Sequence, residues 1–502
     1  MTDFKSIFFA ALALNVVVTY FSRFRKESSK SGLAPDERVG AKHRSLLYFQ
    51  YLPVYFAGTL ADWLQGPYVY ALYLDAYHFE HHLIAVLFVA GFGSSMILGG
   101  FIGGLADTYG RKRFVMLYAV TYILSCLTKH FNTFPILFIG RILGGIATSL
   151  LFSSFDSWLI RAHTLEGLDS YLSESFATAA YGNSIVAIFS GLLANWVVGT
   201  SSDKENGGLI PVGESHPTMF YGGYINPFDS SLVACIFCFL LASVLWGENY
   251  GSGGDDSKAT NEDDTNEDYA IETSESKDMS IGLRQTFINA LRTIRQNEKI
   301  LLCGLVSSFF ESSMYIFVFM WTPGLKFTNT STNAEEESLP FGLIFSTFMI
   351  CCMAGTSAFS ILSKKYAIHK LAPYLLGAGS LSMVTIALSP LRITTYLAML
   401  LFECCCGMYF PLMGTMKSMI VPESQRAAIY NIYRIPMNLI VVGSLLTDFS
   451  VKHSFMICAI MLAVSTVLQQ RLTSSMNEDT DARLDETSEI TEERVELIQG
   501  EV

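Results

Sequence analysis

The stretch Gly103-Gly104-Leu105-Ala106-Asp107-Thr108-Tyr109-Gly110-Arg111-Lys112-Arg113 lies between two long apolar runs and concentrates charge in a short gap. Its glycines permit a tight reversal and close helix approach because they carry no Cβ. The basic run at its end is typical of the cytoplasmic side of a membrane protein. A phosphate-binding loop is excluded, since the strand and helix of a βαβ unit are missing. The stretch therefore predicts a hairpin loop between two membrane helices.

The composition agrees with a polytopic helical membrane protein. Of the 502 residues, 51% are hydrophobic and 16% are charged, a balance that favours many apolar helices. The net charge of -12 reflects acidic residues within 255–278 and after residue 477, which are polar segments and say little about a ligand. All ten cysteines fall inside apolar runs, so the sequence predicts neither a disulfide framework nor a metal site.

The apolar runs divide the chain into two halves, because a helix needs about 20 residues to cross the hydrocarbon. A first run at 4–21 is followed by basic residues, which predicts a retained helix with its N-terminus outside. The expected organisation is an extra N-terminal helix with a basic cytoplasmic loop (1–45), a six-helix half (46–250), a linker (251–298), a second six-helix half (299–470) and an acidic cytoplasmic tail (471–502). The predicted spans are 46–74, 83–106, 114–128, 135–160, 173–199, 228–246, 299–323, 340–362, 371–390, 395–420, 429–449 and 454–470.

Two signals predict the orientation. Loops placed inside carry clustered Lys and Arg, whereas loops placed outside, such as the one with Lys129, mostly carry a single basic residue. The Asn329-Thr330-Ser331 sequon, an expected glycosylation site, also lies outside. The linker is rich in Gly, Ser and acidic residues and is expected to be flexible. Residues 280–299 predict a basic amphipathic helix on the inner leaflet or an extension of the next span.

Five ionisable residues are predicted at membrane depth, where each costs roughly 2.5–3.5 kcal/mol on insertion. We expect them either to line a pathway between the halves or to pair with one another. They are Asp62 and Glu311 in the first helix of each half, Arg141 and Glu403 in the fourth and tenth helices, and Arg434 in the eleventh. Asp156 and Arg161 lie nearer the inner surface, where a structural ion pair is favoured.

Polar and aromatic neighbours extend this set. Trp63, Gln65 and Asn183 are candidates for substrate contact, although Asn183 equally suits an interhelical hydrogen bond. Trp321 suits either the cavity or an interfacial belt. No histidine falls deep in a predicted span, which argues against a histidine proton relay. Without a Walker motif, a metal-ligand array or a nucleophile with a base, the sequence indicates neither an enzyme nor an ATP-driven pump, and no cofactor or metal is expected.

Several motifs resemble a known superfamily. Gly103, Asp107, Gly110, Arg111, Lys112 and Arg113 match the loop signature of the major facilitator superfamily, and Arg141 followed by two glycines is similar to its second motif. The phrases at 62–68, 155–158, 246–250, 310–323 and 409–411 resemble the eukaryotic molybdate-anion transporter family. The resemblance implies an all-α polytopic membrane protein of two pseudo-symmetric six-helix halves plus an extra N-terminal helix.

The resemblance also implies a function, namely molybdate uptake across the plasma membrane by a secondary active transporter with alternating access. Arg141 and Arg434 are then the expected partners of the oxyanion, because Arg supplies a fixed fork of donors. If a proton is coupled, Asp62, Glu311 or Glu403 would carry it. The copy of the loop signature in the second half, around residues 363–366, has lost its Gly and Asp, so the first loop is the expected conformational latch.

Other classes of function remain open from the sequence. The chain is also compatible with a carrier of another small solute, such as a sulfate-like anion or an organic compound. A third reading is a non-transporting membrane receptor or scaffold that acts through its acidic segments. We expect a monomer in the lipid bilayer, with its C-terminus in the cytoplasm and no nucleic-acid partner.

Overall fold

The computed structural model describes residues 2–27, 37–200, 205–213, 218–250, 287–326, 339–422, 425–447 and 449–500. Nearly all of them are helical, and two short strands, β1 (Ile210–Pro211) and β2 (Phe220–Tyr221), pair antiparallel in the loop after α8. The helices are α1 (Thr2–Glu27), α2 (Glu37–Arg44), α3 (Leu52–Gln65), α4 (Val69–Ala71), α5 (His81–Tyr109), α6 (Arg111–Thr128), α7 (Phe134–Glu166), α8 (Leu172–Gly199), α9 (Asn226–Leu245), α10 (287–296), α11 (Glu298–Lys326), α12 (Phe341–Leu362), α13 (Ile368–Leu388), α14 (Arg392–Ile420), α15 (Arg426–Leu446) and α16 (Val451–Gly500).

Eleven helices in the described ranges are long and apolar enough to cross a membrane. Two predicted spans fall outside this set. The first is α6, which has 18 residues and begins with three cations. The second is the first core span, predicted as one helix over 46–74, which the structure interrupts.

The interruption of the first core span is a correction to the sequence prediction. Helix α3 ends at Gln65, and Gly66 and Tyr68 donate backbone hydrogen bonds to residues three positions back. Pro67 has no N–H to donate and favours such a break. Wider π-helical turns follow at Leu72–Ala76 and precede α3 at Ser45–Tyr51. The break leaves the end of this span as a separate short segment.

The two halves are packed together at one end of the bundle only. We call the end that holds the signature loop, residues 103–113, the signature end, and the opposite end, which holds Asp75 and Lys326, the far end. The largest apolar cluster joins far-end residues of the first half to the second half. At the signature end each half has its own separate cluster. The bundle is therefore closed at the far end.

Helices α8 and α12 form the close contact between the halves. A Cβ on Gly191 would lie 2.4 Å from Ser346 Oγ, and one on Gly342 would lie 2.3 Å from the carbonyl oxygen of Gly191. Ser346 Oγ donates a 2.9 Å hydrogen bond to the carbonyl of Ile188. Small residues thus permit the backbones to approach, as is usual between membrane helices.

The segments outside the two six-helix halves are the extra helix α1, the end of α16 and the linker. The extra helix α1 packs on α12, where Thr19 Oγ1 and Ser357 Oγ are 3.2 Å apart. Helix α16 continues to Gly500, through most of the segment predicted as an acidic tail. Residues 251–286 of the linker and Asn329 lie outside the described residues. All ten cysteines are free.

Candidate functional site

The signature loop is a tight turn between α5 and α6. Gly110 adopts a φ of 107°, a conformation that disfavours residues with a Cβ. Asp107 Oδ1 accepts a 2.8 Å hydrogen bond from Arg111 Nε and lies 2.6 Å from its NH2. Arg111 NH1 donates to the carbonyl of Ser157 at 2.9 Å. The motif arginine therefore ties the turn to α7.

Glu248 contacts the turn from the side opposite α7. No separate role was predicted for it from the sequence. Its carboxylate accepts a 2.8 Å hydrogen bond from the backbone N–H of Lys112, in the first turn of α6, where a negative charge is favourable. Its Oε2 lies 3.7 Å from Arg113 Nε. Lys112 Nζ donates to the carbonyl of Ser243. An acidic residue just after the sixth span was the available sequence signal.

Asp62, Trp63 and Asn183 do come together. Tyr122 Oη donates a 2.6 Å hydrogen bond to Asp62 Oδ1, and Trp63 Nε1 donates a 2.8 Å hydrogen bond to Asn183 Oδ1. Asp156 lines the same cleft of about 50 Å³. With two carboxylates in its wall, the cleft suits a cation or a neutral donor better than an anion.

Gln65 points away from that cleft. Its Nε2 donates to Ser231 Oγ at 3.1 Å and lies 3.4 Å from Cys126 Sγ. Ser231 in turn donates to the carbonyl of Ala61. Gln65 thus links α3 to α6 and α9, next to the far end of the first half.

Arg141 lies beside α5. Its Nε donates to the carbonyl of Leu87 at 3.1 Å, and its guanidinium carbon lies 4.6 Å above the ring of Phe88. Gly91 leaves room for it, since a Cβ there would lie 2.9 Å from NH2. Among the described residues, Arg141 forms no ion pair with a carboxylate. The structural pairing considered from sequence is therefore not seen for Arg141.

The candidates of the second half are dispersed. Glu311 accepts hydrogen bonds of 3.1 Å from both Tyr409 Oη and Lys417 Nζ. Glu403 is 8% exposed and lies among cysteines of α12 and α14. Arg434 is exposed on α15. The predicted site residues therefore form several separate groups in this state of the bundle.

Three buried polar side chains were not expected. Lys129, which the sequence places in an outside loop, is 1% exposed, and its Nζ has no hydrogen-bond partner. His43 and His163 lie on either side of Ser175, with ring nitrogens 2.9 and 2.8 Å from its Oγ. Burial lowers the pKa of His43. A lone lysine in a short loop carries no sequence signal for burial.

Known proteins are similar to this chain over most of its length. A family model described as sugar transporters with 12 transmembrane helices matches residues 6–400. The molybdate-anion transporter of Xenopus tropicalis is 30% identical over 490 residues, covering 94% of this chain and 95% of that protein. The molybdate-anion transporter of Takifugu rubripes is 29% identical over 485 residues, covering 90% and 93%.

Solved structures share the architecture at low sequence identity. The inward-open xylose transporter XylE from E. coli has a TM-score of 0.59 at 13% identity, covering 84% of this chain and 95% of its own. A bacterial homologue of the human lysosomal transporter Spinster, inward-facing and occupied, has a TM-score of 0.60 at 11% identity, covering 89% and 99%. At such identities the likeness establishes the fold alone.

Proposed function

We propose, on the premise that the chain belongs to the major facilitator superfamily and to its molybdate-anion transporter family, that it carries molybdate across a membrane. The chain is a multi-pass membrane transporter and not an enzyme. Its predicted fold class is confirmed by the helical bundle and its structural neighbours. Molybdate as substrate, the coupling and the site residues are the proposal.

The unpaired guanidinium of Arg141 is the structural observation that supports an anionic substrate. Arg141 is partly buried, and a partly desolvated cation without a counter-ion is stabilised by an incoming anion. A tetrahedral dianion offers several acceptor oxygens, which match the fork of donors on an arginine. Arg434 is exposed and available to contribute from the second half. Trp63, Gln65 and Asn183 stay as proposed neighbours of the pathway.

Uptake of a dianion into a cell with a negative interior needs energy. Moving two negative charges against 100 mV costs about 4.6 kcal/mol, from roughly 2.3 kcal/mol per charge. We propose that co-transported protons supply it, since two protons cancel the charge of the dianion, and that Asp62, Glu311 or Glu403 binds a proton. Among these, Asp62 and Glu311 already accept hydrogen bonds, whereas no described partner engages Glu403. Uptake that is independent of pH at fixed voltage would remove the proton from the proposal.

Alternating access is proposed to proceed from the observed state, in which the far end is closed. In our proposal the far end faces outside, the signature end and the C-terminus face the cytoplasm, and the membrane is the plasma membrane. The signature loop then acts as the latch between states, and Asn329 is glycosylated. The five-segment organisation and a monomeric state complete this proposal. Loss of a glycan in Asn329→Gln, seen as a mobility shift, would support the orientation.

Reconstituted protein tests the substrate most directly. Proteoliposomes with equal potassium concentrations on both sides and valinomycin are held at zero voltage while labelled molybdate is supplied outside. Molybdate uptake above that of protein-free vesicles supports the proposal. Uptake of sulfate or an organic solute in its place would keep the carrier and change the substrate.

A further inference from the structure

Lys129 is a fully buried cation that the proposed pathway has not used. It follows the last residue of α6, is 1% exposed, and its Nζ has no hydrogen-bond partner. The nearest compensation is the ring of Tyr73, whose centroid is 5.8 Å from Nζ, together with the negative end of the α6 dipole. Neither replaces the three hydrogen bonds of an ammonium group in water.

Two further donors face the same region. Tyr73 is fully buried, and its Oη also has no hydrogen-bond partner. Arg141 uses only Nε, toward the carbonyl of Leu87, which leaves NH1 and NH2 without a partner among the described residues. The end of α6 and the start of α7 are in close contact beside these residues, since a Cβ on Gly140 would lie 1.8 Å from Thr128 Oγ1. Burial and the charge of Arg141 lower the pKa of Lys129 to about 7.

Nearby acidic residues are already engaged. His130 Nε2 lies 2.9 Å from Asp229 Oδ1, and Asp75 pairs with Lys326. In the described part of the chain, Lys129 and Arg141 form no ion pair. The far end therefore holds two cations without a carboxylate partner, the buried Lys129 and the partly buried Arg141, together with the unused hydroxyl of Tyr73. A ligand with acceptor oxygens would satisfy these donors.

We propose that Lys129 Nζ, the terminal nitrogens of Arg141 and Tyr73 Oη form a binding site for a tetrahedral dianion at the far end. This inference rests on the proposed function and locates the substrate-binding site at the far end. When Lys129 is protonated the charges balance, since two cations meet one dianion. All three groups donate hydrogen bonds, and an oxyanion carries only acceptors.

Access to this site requires the far end to open. In the closed state the ring of Phe319 stacks on His81 and packs edge-on against Tyr70 and Phe88. Phe88 also lies beneath Arg141. Separation of the halves would remove Phe319 and expose Phe88 and the guanidinium together. The cleft at Asp62 is the less suitable place for the anion because Asp62 and Asp156 would repel it.

Equilibrium dialysis of the purified full-length protein with molybdate, followed by elemental quantification, tests the site. Lys129→Gln and Tyr73→Phe should each weaken binding, the lysine change on the order of tenfold or more, while Lys129→Arg should retain it. Lys365→Gln, which removes an exposed lysine, is the matched control and should bind like the wild type. Monodispersity by size exclusion confirms that each variant is folded.

The outcomes separate the site from the function. If the wild type binds molybdate and both Lys129→Gln and Tyr73→Phe bind it equally well, the site is wrong and the proposed function stands. If the wild type binds no molybdate, the proposed function fails. Sulfate binding then tests whether an oxyanion site exists at Lys129. Thermal stabilisation by sulfate that Lys129→Gln abolishes would retain an oxyanion site, and its absence would overturn the site as well. If Lys129→Gln does not fold, the comparison of Tyr73→Phe with Lys129→Arg tests the site: weaker binding by the first and retained binding by the second support it, and equal binding by both overturns it.

Discussion

The carboxylate of Asp75 and the ammonium of Lys326 form an ion pair that joins the two halves at the far end. Asp75 belongs to the π-helical turn after the break in the first core span, and Lys326 is the last residue of α11. Both side chains are less than one third exposed. The pair therefore lies where the halves must separate if the far end opens.

Charge reversal at this pair should open the far end. Lys326→Glu would place two carboxylates together, whereas Lys326→Glu with Asp75→Lys restores the attraction. A partly exposed pair is worth up to about 1 kcal/mol, a factor of about five in the ratio of closed to open states. Spin labels at Glu80 and Leu391, exposed positions on opposite halves, should show longer distances in the single variant and wild-type distances in the double variant. Equal distances in all three proteins would contradict a role for this pair.

Gly110 should tolerate no side chain. Its φ of 107° costs an L-residue about 1–3 kcal/mol, and a Cβ would lie 2.6 Å from the Glu248 carboxyl carbon. Gly110→Ala is therefore expected to lower the melting temperature and to slow transport. Gly104→Ala is the matched control in the same motif, because a Cβ there meets nothing within 4 Å and alanine favours a helix. Similar losses in both variants would show that the turn geometry is not the cause.

Much of the fold was readable from the sequence because apolar runs of membrane length leave few alternatives. The signature loop was also predictable from the sequence, because its charges and glycines lie in a short gap between two apolar runs and so indicate a hairpin loop. The break at Pro67 was missed because the apolar run continues on both sides of it. Burial of Lys129 was also missed, since it depends on packing by Tyr73 and Tyr77, which are distant in sequence.

The candidate site was harder to predict than the fold. Depth in the membrane identified Asp62 and Arg141 as unusual, but depth does not specify the direction a side chain takes around its helix. Tyr122 engages Asp62 and Phe88 supports Arg141. Those partners follow from the rotation of each helix, which tertiary packing sets.

Anion binding should weaken as the pH rises above about 7. The pKa of Lys129 is lowered to about 7 by burial and by Arg141, with Cys126 acting in the opposite sense. Only the protonated ammonium attracts an oxyanion, so affinity is full below this pKa and falls by up to about tenfold per pH unit above it. Molybdate dialysis at pH 6 and pH 8 measures the effect.

Two variants isolate Lys129 as the titrating group in that experiment. Lys129→Arg keeps its charge and should bind equally at both pH values. His130 is the other nearby group, and its pKa is raised by the hydrogen bond to Asp229. Because Lys129 is the proposed titrating group, His130→Gln should leave the pH dependence in place. A fall in affinity that persists in Lys129→Arg would assign the titration to another group.

The most direct test of the account is molybdate uptake at low concentration in cells that lack their own carrier. Wild type is compared with Arg141→Gln and Arg434→Gln at matched surface expression, with excess sulfate as competitor. The account predicts wild-type uptake that resists sulfate and falls by at least about tenfold in Arg141→Gln. No uptake above background by surface-expressed wild type would contradict it.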